Sequence, residues 1–156
     1  MKKILLLLFL FFTLTNLVFA SEAQNKYKFI GSNDFIIKYF DTETMMVENA
    51  HANGVETTIV TVWITNELTE QGIKFNTLNP RKIPGVHFVS YQEQYDRADQ
   101  KSRFLNIVYY DKYYKIIDKA TNTNPEWTAI LPNTTGEFVF NSIFTYLDSQ
   151  NSNQSE

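Results

Sequence analysis

Few side chains in this sequence could do chemistry. Asp41 and Glu43 lie two residues apart, a spacing that would put both carboxylates on one face of a strand and allow an acid–base pair. The same spacing also describes two acids facing solvent at a strand entrance. His51 sits at the rim of Asn53-Gly54, and His87 alternates with Val86 and Phe88; neither has a second His or a Cys at ligand spacing. No loop carries the Asp/Asn ladder of a calcium site, no serine lies in a nucleophile elbow, and no glycine-rich phosphate loop is present. Asn133-Thr134-Thr135 fits a glycosylation sequon but coincides with a helix start. The residues predict no catalytic, cofactor-binding or metal-binding site. They point to binding rather than to catalysis.

The elements that would carry such residues are mostly strands. Short apolar-aromatic runs at Tyr27 to Ile30 and Phe35 to Phe40 flank the turn-rich Gly31-Ser32-Asn33-Asp34. Met45 to Val47 reads as a third strand, followed by Asn53-Gly54, a type I′ hairpin signal because both central positions need positive φ. Glu56 to Thr65 is the longest strand candidate, with Val60, Val62 and Ile64 on one face and Ile59, Thr61, Trp63 and Thr65 on the other. Residues 66–85 are irregular and locally basic through Lys74, Arg81 and Lys82, which suits a partner- or anion-binding loop or a solvated connection. Val86 to Tyr95, Ser102 to Tyr110 and Lys112 to Asp118 follow as strands.

One helix closes the pattern. Thr134-Thr135-Gly136-Glu137 has the capping-box form, and Phe140, Ile143, Phe144 and Leu147 make one stripe of a 3.6-residue period. The fold class expected is α+β: about six antiparallel strands with one C-terminal helix packed on one face. Several strands carry bulky apolar residues on both faces, so the face opposite the helix needs cover. Sheet curvature, the 66–85 loop or another molecule would supply it, and a second subunit or a protein partner is the reading preferred.

The first twenty residues read as a signal peptide: Met1-Lys2-Lys3, an apolar run from Ile4 to Phe12, and Val18-Phe19-Ala20 before Ser21. Removing 20 of 156 residues leaves 136, one domain over residues 27–148, with a polar tail at 149–156 expected to be disordered. Losing Lys2 and Lys3 takes the formal net charge from −3 to −5, which argues against nucleic acid or anionic lipid as the main partner. No second stretch is long enough to span a membrane, so the mature chain is expected to be exported, whether to a periplasm, a cell surface or the medium. It contains no cysteine, so burial rather than disulfides must hold it.

Several segments, in order, carry a resemblance. They are Lys28-Phe29-Ile30-Gly31, Tyr39-Phe40-Asp41-Thr42, Val60-Thr61-Val62-Trp63-Ile64, Val108-Tyr109-Tyr110-Asp111-Lys112, and Glu126-Trp127 with Ile130-Leu131-Pro132 and Gly136-Glu137. Together they resemble the surface-adhesin protein E-like family of small exported bacterial domains. That resemblance implies an antiparallel sheet with a C-terminal helix and an envelope or surface location. It also implies a non-catalytic, adhesin-like role, its namesake being similar to an adhesin that binds host extracellular proteins as a dimer. A periplasmic structural or stress-related role is the alternative. This chain departs from the pattern in lacking cysteines, in a longer Glu48 to Gly54 segment, and in placing Tyr113-Tyr114 where many relatives have a glycine-containing turn. No binding residue is carried over from the family.

Overall fold

The computed structural model describes residues 26–52, 55–75 and 78–153. The expected signal peptide at residues 1–20 and the Asn53-Gly54 turn lie outside the described residues. In chain order the strands are Tyr27–Ser32 (β1), Ile36–Asp41 (β2), Met46–Ala52 (β3), Val55–Leu68 (β4), Phe88–Asp96 (β5), Lys101–Tyr110 (β6), Ile116–Thr121 (β7) and Thr128–Ala129 (β8). Helix Glu70–Lys74 (α1) follows β4, and helix Thr135–Asn153 (α2) ends the described chain. All pairings are antiparallel, giving the expected α+β arrangement.

The sheet has eight strands but is six wide, in the order β1-β2-β4-β5-β6-β7. The other two continue existing edges. β2 pairs with Ile64 to Leu68 of β4 and β3 with Val55 to Thr61, so β2 and β3 lie end to end along one edge of β4. In the same way β7 pairs with Asn106 to Tyr110 and β8 with Lys101 and Ser102, end to end along β6. Two residues are too short to show a period in sequence, which is why β8 was not expected. The last long strand also starts later than expected, at Ile116 rather than Lys112, because Asp111 to Lys115 form a tight turn.

The core lies on one side of the sheet. Val60, Val62 and Ile64 on β4, Phe40 on β2 and Tyr95 on β5 are buried beneath Val139, Phe140, Ile143 and Phe144 of α2. The helix entry differs from a reciprocal capping box. The Glu137 amide donates to the Thr134 hydroxyl (3.3 Å), but the Glu137 carboxylate accepts from Asn133 (2.7 Å) rather than from Thr134. The helix then runs to Asn153, so residues 149–153 are helical where a disordered tail was expected. Arg97 pins its later turns by donating both guanidinium nitrogens to the Asp148 carboxylate, at 2.9 and 2.8 Å.

A second cluster covers the rest of the same face. Leu68, Val86, Val89 and Tyr109 pack with Ile36, Ile73, Ile83 and Ile107 under α1 and the loop after it. Asn79 folds that loop, accepting from the Ile83 amide (2.9 Å) and donating to its carbonyl (2.6 Å), and Arg81 pairs with Asp118 at 2.9 Å. Gly72 is required for the close approach of α1, since a Cβ there would stand 2.0 Å from the Phe35 carbonyl oxygen. Residues 66–85 are therefore not irregular throughout: they contain a helix, and α2 is not the only one. Among the described residues no helix is long and apolar enough to cross a membrane.

Ile143 is fully buried at the centre of the α2–sheet contact. Ile143→Ala is expected to lower unfolding free energy by about 3 kcal/mol through lost burial and the cavity left behind. Asn141→Ala, on the exposed side, should change it by less than about 0.5 kcal/mol. Urea denaturation of the two variants checks both values.

Candidate functional site: a tyrosine-lined groove on the open sheet face

The two candidate acids do not form an acid–base pair. Asp41 ends β2 with its side chain buried, while Glu43 lies beyond the strand in the bend that follows. Both turn to Lys26, whose Nζ is 3.0 Å from Glu43 and 3.9 Å from Asp41, and Asp41 also accepts from the Glu43 amide at 3.0 Å. The Glu43 hydrogen bond, followed by the Asp41 charge, holds the Lys26 pKa above its ordinary value. This is a clamp closing the start of β1 onto the end of β2. His51 is exposed with Glu56 at 3.4 Å, and His87 serves the backbone ladder through Tyr110 and Leu68. Among the described residues no three His, Asp or Glu side chains gather as a metal ion would need.

A second, partly buried polar set lies on the helix-covered face. Tyr95 donates its hydroxyl to Glu93, and Lys38 donates to the Tyr91 hydroxyl at 2.8 Å. Glu93 shares the helix-covered face with its cross-strand neighbours Val62 and Phe104. Burial pushes its pKa above the ordinary carboxylate value, against the Tyr95 hydrogen bond and the Lys38 charge. The Lys38–Tyr91 bond ties β2 to β5 across β4.

The sheet face away from α2 is where the molecule remains open. The 66–85 segment covers the same face as the helix, so it does not supply the cover expected for the other one. Much of that second face is satisfied by cross-strand polar pairs. Thr65 and Ser90 share a hydrogen bond of 2.8 Å, Gln94 donates to Thr61 (2.8 Å), Arg103 to Gln94 (2.6 Å) and Asn106 to Gln92 (2.7 Å). Arg103 also lies over the Trp127 ring, 4.4 Å from its centre. Strict alternation along β6 would put Phe104 and Ile107 on opposite faces, and the structure does not. A register shift at Gln92/Glu93 makes Leu105 the extra residue, so Phe104 and Ile107 both face the helix side.

At one end of this face the polar rows give way to aromatic rings around a groove of about 610 Å³. Thr65 and Ser90 form its floor with Glu67, while Tyr27, Tyr39, Tyr110, Tyr114 and Phe88 form its walls. Strand register accounts for most of this. Glu67 pairs with Ile37 on one side and Phe88 on the other, Phe88 pairs with Tyr110, and Tyr39 pairs with Thr65. Tyr114 comes from the β6–β7 turn, held there by the Asp111 carboxylate accepting from the amides of Tyr113 (2.8 Å) and Lys115 (2.9 Å). These backbone bonds, that of Lys115 foremost, hold the Asp111 pKa below its usual value. Tyr114 adopts φ of 60°, a left-handed conformation uncommon for a non-glycine residue, and its ring stacks on Phe88 at 4.2 Å between centres.

The groove is electrostatically one-sided. Among the described residues Glu67 has no ion pair and no Lys or Arg lines the groove. Burial and then the Glu67 charge raise the pKa of Tyr39 and of Tyr114, while burial and then Tyr27 raise that of Tyr110. All three phenols therefore stay protonated through neutral pH. Sequence inspection singles out Tyr114 of these, at the turn after β6, but does not gather the rest, which are scattered from Tyr27 to Tyr110 and meet only through register and curvature. The available signal was the period-2 alternation of β4, which places Thr65 opposite Val62 and Ile64 and, extended, places Glu67 there too.

No family model, curated protein or solved structure matches this chain.

The raised Glu93 pKa gives a pH test. Its contribution is fully present below the ordinary value of 4.5 and is lost as pH rises through the higher folded value. Glu93→Gln, which can still accept from Tyr95, removes that dependence. In urea denaturation the variant should gain on the wild type as pH climbs from about 4 to about 7; parallel curves would show that Glu93 titrates normally.

Proposed function

We propose that this chain is an exported, non-catalytic binding module that docks a protein partner on the sheet face opposite α2. The carrying observation is the tyrosine-lined groove at one end of that face. Tyrosine supplies wide, stiff contact area with a polar tip, and aromatic anchors dominate the energetics of protein interfaces. Tyr114 and Tyr27 are 67% and 44% exposed, so much of their ring area is available to a partner. Asp41 and Glu43 are engaged by Lys26 rather than directed into a cavity, which leaves the enzyme reading without its only candidates.

The location belongs to the same proposal: a periplasm, a cell surface or the medium, supported by the signal-peptide pattern of residues 1–20. The adhesin-like role rests on the resemblance to surface-adhesin protein E-like domains, whose sheet-plus-helix form agrees with this fold. A structural role toward another envelope component uses the same surface. A second copy of the chain is the other protein occupant this face would accept.

The test is binding of the purified mature chain to immobilised extracellular-matrix proteins and to envelope extracts. Tyr39→Ala combined with Tyr114→Ala should weaken binding at least tenfold, as loss of two aromatic anchors would. Leu131→Ala, exposed but outside the groove, should leave it unchanged. Equal binding by the double variant would remove the groove from the interface.

A further inference from the structure

We propose that the groove recognises the side-chain ammonium of a lysine on the docked protein, seated between the tyrosine rings with its charge toward Glu67. This inference rests on the reading of that face as a protein-docking surface and names the group it would select. Three observations carry it. Among the described residues the lining combines five aromatic rings with one carboxylate and no Lys or Arg, so no lining side chain compensates its charge. Glu67 is half-buried, has no ion pair among the described residues, and lies between Ile37 and Phe88 in the register, where solvent screening is reduced. The third is already built into the chain: Lys26 lies 5.4 Å from the centre of the Tyr27 ring while its ammonium is bound by Glu43. Tyr27 is itself one wall of the groove, and the same pairing of ring and carboxylate recurs at Glu67, which has no ion pair among the described residues.

The chemistry favours a primary ammonium over a quaternary one. A cation over an aromatic face gains from the ring quadrupole whether or not it carries protons. The groove, however, also presents a carboxylate and several phenol oxygens, and these reward N–H donors. A lysine ammonium brings three donors, while a trimethylammonium group brings none. Arginine fits less well, since its planar fork is matched by a bidentate carboxylate or phosphate rather than by scattered phenols. The groove is also larger than one ammonium group, as expected if neighbouring partner residues enter with the lysine.

The raised pKa values of Tyr39, Tyr110 and Tyr114 are consistent with this. Their hydroxyls remain neutral at the pH where lysine is charged, keeping both donor and acceptor capacity.

The probe is Nα-acetyl-lysine-methylamide, titrated into the folded mature protein while backbone amide shifts are followed by NMR. Saturable shifts are expected at Thr65, Glu67, Ser90 and Tyr110. The Nε-acetylated compound should give none, and tetramethylammonium should bind more weakly. Glu67→Gln should weaken the lysine compound about tenfold, since a hydrogen bond to a charged group is lost. Tyr39→Phe keeps the ring and removes one hydroxyl, and should weaken it by a smaller factor. An unchanged amide spectrum outside the groove verifies that both variants fold. Absence of saturable shifts, equal binding by Glu67→Gln, or stronger binding of tetramethylammonium would each overturn the inference. If the double tyrosine variant loses a protein partner while Glu67→Gln keeps it at full strength, the docking surface stands and the lysine does not.

Discussion

The structure depends on one contact, the seating of α2 on β4. Val60, Val62 and Ile64 are each fully buried, and so is Ile143 above them. With no cysteine in the chain, apolar burial of this kind is the main force opposing conformational entropy. β4 also pairs along both edges, with β2 and β3 on one and β5 on the other, so the contact fixes the strands on either side of it. The second cluster, under α1 and the Asn79 to Val86 segment, extends cover along the same face. Both apolar layers lie on one side.

That asymmetry shapes the other face. A six-wide sheet with all its apolar cover on one side must satisfy the remaining side with polar groups, with curvature or with a partner. Here the central rows hold Thr, Ser, Gln, Asn and Arg side chains bonded across the strands, with Trp63 and Val108 among them. At the end lined by Tyr27, Tyr39, Tyr110 and Tyr114 the composition changes to rings around a carboxylate. A surface needed solely for solubility would continue the polar rows. The change is what supports the proposal that this end is a recognition surface.

The fold was legible in the sequence because its signals are local. The branched alternation of β4, the Phe140–Ile143–Phe144 stripe and the Thr134 cap each declare themselves within a few residues. What escaped was set at longer range or in shorter pieces. β8 is two residues long. α1 is a single short helix whose place is decided by Gly72 against Phe35, a contact between distant segments. The Leu105 register shift moves Phe104 to the other face, which no alternation pattern foretells. The tail assigned to disorder by its polar composition is helical to Asn153, continuing α2 past the Arg97–Asp148 pair. The groove was the least visible part, being assembled from five strands and a turn. Sequence reasoning located its face, as the one opposite the helix, but not, Tyr114 apart, its residues.

The central claim is that this face is open in the free protein and presents its tyrosines. Hydroxyl-radical footprinting of the purified mature chain, read residue by residue by mass spectrometry, tests it most directly. Tyr27 and Tyr114 should be modified rapidly and at rates independent of protein concentration, while Tyr95 and Tyr109, both buried, should be protected. Protection of Tyr27 and Tyr114 equal to that of Tyr95, at every concentration, would mean the groove is closed by the chain itself and would contradict the account.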